Sequence, residues 1–302
     1  MPVIYKRPKS VAAIWSRRIG YFALLLLIIV WGFHRFGGFP TPEAVGVGLV
    51  ASTIAAFGLG LAIIGLSMLW AIGAKGGRAS FVGLCLNLVA LLPFGLSAYR
   101  YVSLPQQYDV STSEQELLNW LQEPKHPQSW LPRGYSGEVL INLKNTRIYS
   151  QLSERRYQGA IDRVYQAVQD IVISEKFSVV SSEGNEFLSP IEAEPQSKRQ
   201  TQSGENLGIP TPTPTPIIRS GASDSTAGFQ GTTIRIQLTK KSFILGVEQD
   251  VMLLLTEDES ATFVEMRSAT RYGPHDLGIN AELINSFLTK VDNNLLGIVG
   301  AN

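Results

Sequence analysis

The chain has 302 residues, of which 45% are hydrophobic and 17% charged, and its formal net charge is +1; average proteins carry about 25% charged residues. The charge is unevenly placed: residues 1–101 hold nine Lys/Arg and one acid, Glu43, whereas residues 102–302 hold 17 basic and 24 acidic side chains. The acidic remainder excludes nucleic acid as a partner, which needs clustered Lys/Arg against phosphate, and one cysteine, Cys85, excludes an intrachain disulfide framework and a multi-cysteine metal site.

Three long uncharged runs occupy the front third, over residues 19–33, 44–74 and 79–99. A spanning helix needs about 20 apolar residues, so each run is expected to cross a bilayer, the first with help from a snorkelling Arg18. Trp15, Tyr21, Trp31 and Trp70 fall near the expected interfaces, as aromatic belts do. The N-terminal tail carries five Lys/Arg, and the second short loop carries Lys75 and Arg78 without an acid. The positive-inside rule then predicts a cytoplasmic N-terminus and places residues 102–302 across the membrane, in the periplasm of a Gram-negative cell. No Asp, Glu, Lys or Arg lies mid-span, which argues against a transporter.

The second run has a small residue at every fourth position, Gly48, Ser52, Ala56 and Gly60. Such a stripe lets helix backbones approach closely. It serves either a homo-oligomer or packing within the three-helix anchor.

Beyond the anchor (1–102), residues 103–138 read as a tether, with a short amphipathic stretch at 114–121 and Pro124, Pro127, Pro132 and Gly134. Residues 139–302 read as a domain. Its pattern predicts a helix over 156–176, strands over 177–181, 186–194, 232–243, 250–256 and 261–270, and a last helix over 278–296. Between about 195 and 231 the chain turns to Ser, Thr, Gly, Gln and Pro around a Pro-Thr repeat at 210–216, which predicts a disordered insertion. Ile234, Ile236 and Leu238 alternate with polar neighbours, and so do Val264 and Met266. The expected fold class is therefore α+β: a three-helix transmembrane anchor followed by a two-layer helix/antiparallel-sheet sandwich, with one sheet face apolar and the other solvated.

The segment from Val264 to Asn280, reading Val-Glu-Met-Arg-Ser-Ala-Thr-Arg-Tyr-Gly-Pro-His-Asp-Leu-Gly-Ile-Asn and leading into a helix with Phe287-Leu288, resembles the family called domain of unknown function 1499. Ile191-Glu-Ala193 and the turn at 243–250 are similar to two further family pieces. Thr270 and Glu265 depart from the family's Ser and Asp. The resemblance implies a bacterial envelope protein of unestablished activity.

Within that motif Arg267 and Arg271 are four residues apart on a strand and share a face with Glu265. Asp276 and Asn280 stand at the start of the last helix, where either can cap free amides, and His275 adjoins them. Two readings follow. The two guanidiniums and the helix terminus form an anion or partner site, or the same residues form an ion-pair and capping cluster in which Arg267 or Arg271 meets Asp276. No Gly-x-Ser-x-Gly, His-Glu-x-x-His or phosphate-binding loop is present, and no cofactor, metal or catalytic residue is expected. The leading expectation is a binding or scaffolding module whose partners are the lipid bilayer, an anionic lipid or an envelope protein. The alternative is an envelope hydrolase or transferase using Arg267, Arg271, Asp276 and His275.

Overall fold

The computed structural model describes residues 8–113, 118–128, 130–133, 152–184, 232–242, 245–258 and 261–296. The expected Pro/Thr-rich insertion, the strand at 186–194 and the start of the amphipathic stretch at 114–117 lie outside them.

Three helices, α1 (Val11–Phe36), α2 (Thr41–Ile72) and α3 (Gly77–Ser103), are long and apolar enough to cross a membrane. Ser10 caps α1, its hydroxyl accepting from the Ala13 amide at 3.2 Å. Gly73 ends α2 in the left-handed conformation at φ +64°, as helix C-termini prefer. The helices meet along small residues. In α2 these are Ala44, Gly48, Ala51, Ala55, Gly58, Ala62 and Gly65; α1 offers Ala13, Ser16, Gly20 and Ala23, and α3 offers Ser80, Gly83, Asn87 and Ala90. All three sets alternate steps of three and four, an average near 3.5 residues, which keeps a seam facing its partner in a left-handed bundle. The stripe expected from spacing four instead rotates away by about 40° per step. Of its members Gly48 is buried, Ser52 is half-buried, Ala56 is exposed, and a methyl on Gly60 would meet nothing within 4 Å. Packing inside the bundle shares only Gly48 with that stripe.

The C-terminal domain is built on one antiparallel sheet: β1 (Asp109–Ser111), β2 (Arg155–Gln158), β3 (Ser178–Glu183), β4 (Thr233–Lys241), β5 (Glu248–Asp258) and β6 (Ala261–Thr270). The order is β1-β6-β5-β4-β3, and β2 also pairs with β6. Two helices, α4 (Ile161–Ser174) and α5 (Ile279–Leu295), cover one face. Ile234, Ile236 and Leu238 of β4, Val251, Leu253 and Leu255 of β5, and Val264 and Met266 of β6 point to Val164, Val168 and Ile171 of α4 and Ile284, Phe287 and Leu288 of α5. Alternation along each strand puts these residues on one face. The α+β expectation holds, with three helices leading into it.

Two expectations change. The helix predicted from 156 begins at Ile161, because Arg155–Gln158 pairs antiparallel with Ala261–Val264. The opposite sheet face is solvated only toward its edges, where Thr233, Arg235 and Lys241 are exposed. Gln237, Met252 and Arg267 are neighbours across β4, β5 and β6 on that face, and all three are buried. The chain expected as a tether covers them. Asp109–Ser111 pairs with Arg267–Ala269, and the Gln122 backbone exchanges two hydrogen bonds with the Gln237 side chain, at 2.8 and 2.7 Å. A short polar-looking segment is thus held because buried side chains of the sheet need partners.

The domain rests on one end of the three-helix bundle. Arg100 at the end of α3 pairs with Glu282 of α5 at 3.1 Å. A Cβ on Gly246, in the β4–β5 turn, would lie 3.3 Å from Arg35 Cδ and 3.4 Å from a ring carbon of His34. The Trp130 ring lies against Gly46 of α2.

Candidate functional site

Arg267 extends from β6 into the buried second face. Its Nε donates to Asp109 Oδ1 at 2.9 Å and its Nη2 to Asp109 Oδ2 at 2.6 Å, a two-pronged pair. Its Nη1 donates to the Leu118 carbonyl, and the guanidinium lies 4.6 Å from the Trp120 ring centroid. Each of its three nitrogens thus has a protein partner, and the residue is buried.

Arg271 follows β6 on the same side. Its Nε and Nη2 both donate to Asp250 Oδ1, at 3.1 and 2.9 Å, and its Nη1 pairs with Glu248. Asp250 gathers more: His126 Nε2 lies 3.2 Å and Arg133 Nη2 3.6 Å from its Oδ2. Burial, with Arg271 next, holds the His126 imidazole below its ordinary value and so favours its neutral form. Arg133 also donates from Nε to the Thr270 and Arg271 carbonyls, at 2.9 and 3.1 Å. The strand-to-helix connection is therefore tied to the 124–133 loop.

Asp276, Asn280 and His275 form a second knot at the start of α5. The Asp276 carboxylate accepts from the Gly278 amide at 2.9 Å and the Asn280 amide at 3.1 Å, so capping is its role. Burial pushes its carboxyl up, and these hydrogen bonds pull the other way. Asn280 does not cap. Its Oδ1 accepts from Gln249 Nε2 at 2.8 Å and Ser268 Oγ at 2.9 Å, and its Nδ2 donates to the Tyr108 carbonyl at 2.9 Å. His275 Nδ1 accepts the Leu277 amide at 2.8 Å, which leaves Nε2 to donate to the Leu104 carbonyl at 3.2 Å. Tyr101 lies over its ring at 4.9 Å. His275 thus links the domain to the end of α3.

The five motif residues are brought near one another, but into three separate partnerships. Neither arginine meets Asp276; each has a carboxylate from another strand. Asp109 and Asp250 were missed because a lone acid in a short or alternating segment carries no local signal for its partner. Their one signal was position, on the polar side of strand patterns. Among the described residues no group of three or more His, Cys, Asp or Glu gathers as a metal site.

No curated protein and no solved structure matches the chain. Residues 173–291, from the last turn of α4 into α5, match the family described as "Protein of unknown function (DUF1499)".

Proposed function

We propose that the protein is a binding or scaffolding module of the bacterial envelope, held in the inner membrane by α1, α2 and α3 with its N-terminus cytoplasmic and its C-terminal domain periplasmic. One observation carries the reading. The polar groups that could have formed an active site (Arg267, Arg271, His275, Asp276 and Asn280) are consumed in bonds that close the domain and fasten it to α3. Hydrolysis or group transfer requires a nucleophile aligned with a base beside bound substrate, and these residues leave no such opening. A domain seated on its own anchor offers a surface at fixed height above the bilayer.

The partners of this reading are lipid, an envelope protein or a second copy of the chain. Crosslinking the intact protein in its own membrane and identifying what co-purifies tests it. Recovery of specific proteins or lipids is expected; turnover of a substrate by the purified chain overturns it. A phosphatase reporter joined after Asn302 is expected to be active, and activity of only a cytoplasmic reporter there reverses the orientation.

A further inference from the structure

Trp130 belongs to the segment that crosses the sheet, yet its indole rests on α2. Its Cζ2 atom lies 3.3 Å from the position a Cβ on Gly46 would take. Gly46 is three residues inside Glu43, about 4.5 Å deeper along the helix axis, and within the uncharged run that starts at Ala44. Two residues further, Gly48 meets the ring of Phe94 on α3, well inside the charge at Arg100. Trp130 is 49% exposed, so part of it faces away from protein beside the apolar start of α2. An indole is favoured at the boundary of head groups and chains, because its body is apolar and its N–H stays near polar partners.

The same loop walls an open groove of about 720 Å³ lined by Lys125, His126, Gln128, Arg133 and three prolines. Lys125 is exposed. Arg133 also borders the groove, but its Nη2 is buried 3.6 Å from Asp250 Oδ2, so Lys125 supplies the open cation. The groove thus carries an exposed ammonium five residues from a tryptophan that lies against the apolar start of α2. A basic group beside the bilayer surface is attracted to anionic lipid, and an ammonium suits a phosphate as a point charge.

We propose that the 124–133 loop binds an anionic phospholipid, with Trp130 in the boundary of head groups and chains and with Lys125 on the lipid phosphate. This rests on the membrane-seated binding module proposed above and names its ligand class. The bundle itself argues for lipid, since Trp130 sits beside an apolar helix rather than over a soluble partner.

The test uses the full chain in nanodiscs of phosphatidylcholine with or without phosphatidylglycerol. The emission difference between wild type and Trp130→Phe is expected to be quenched by chain-brominated phospholipid and spared by aqueous iodide; the reverse pattern overturns the insertion. Retention of phosphatidylglycerol over phosphatidylcholine is expected to fall about fivefold in Lys125→Gln, the change one basic group makes at an anionic surface, and to survive in Lys125→Arg. Equal retention by wild type and Lys125→Gln overturns the phosphate contact. Crosslinking on the same variant reads the scaffold role separately, so either reading can fail alone.

Discussion

Arg267 and Asp109 are joined by two parallel hydrogen bonds, at 2.9 and 2.6 Å, across 158 residues of chain. The pair fastens the strand that leaves the anchor to the strand at the heart of the sheet. Both side chains are nearly enclosed, at 11% and 6% exposure, so removing either partner strands a buried charge. Arg267→Ala is expected to cost about 3–5 kcal/mol, and the joint change Arg267→Met with Asp109→Leu far less, because two apolar groups leave no charge behind. Urea titration read by trypsin resistance measures both. Equal losses for the single and double changes would remove the pair from the account.

Asn280 holds three elements at once: Gln249 of β5, Ser268 of β6 and the Tyr108 carbonyl before β1. Asn280→Ala deletes these bonds and leaves buried polar groups without partners, a loss of about 2–3 kcal/mol. The effect of Ser268→Ala is expected to shrink in that background, since the two residues share a bond. Additive losses in the same urea assay would contradict this.

The two glycine sets in the bundle separate by experiment. A methyl at Gly83 would collide with Ser16 Oγ and stand 2.8 Å from the Arg17 nitrogen, which is backbone and cannot swing aside; a methyl at Gly60 would meet nothing. Gly83→Ala is expected to lower the melting temperature of the detergent-solubilised protein by several degrees, through overpacking of about 1–3 kcal/mol, while Gly60→Ala leaves it unchanged. A homo-oligomer built on Gly60 would instead dissociate with Gly60→Ala, and size-exclusion chromatography with light scattering reads that outcome.

Glu175, just past the end of α4, pairs with Lys240 at 2.7 Å and also with Lys290 of α5. Burial alone raises its carboxyl, but the two lysines outweigh it and hold the group below its ordinary value of 4.5. A carboxyl lowered on folding stabilises the folded state above its unfolded pKa, and that stability drains away as pH falls through the folded one. The domain is therefore expected to lose stability below about pH 4.5, with a shallower fall in Glu175→Gln. Melting curves from pH 3 to 7 on both proteins check the difference.

The residues alone made the three apolar helices, the alternating strands of β4, β5 and β6, and α5 legible, because a run or a period is a local property that one segment carries by itself. The same locality explains the capping role of Asp276, which acts on amides two and four residues ahead. Tertiary structure decided the rest. The small-residue seam of α2 follows the 3.5-residue register set by two neighbouring helices, so counting every fourth residue found only Gly48. The partners of Arg267 and Arg271 are carboxylates 158 and 21 positions away, brought close by strand pairing. The segment after α3 was polar enough to pass for a tether, and only the sheet face it covers shows why Gln122, Trp120 and Trp130 are held where they are: buried Gln237 and Arg267 require partners, and the start of α2 gives the indole an apolar surface to rest on.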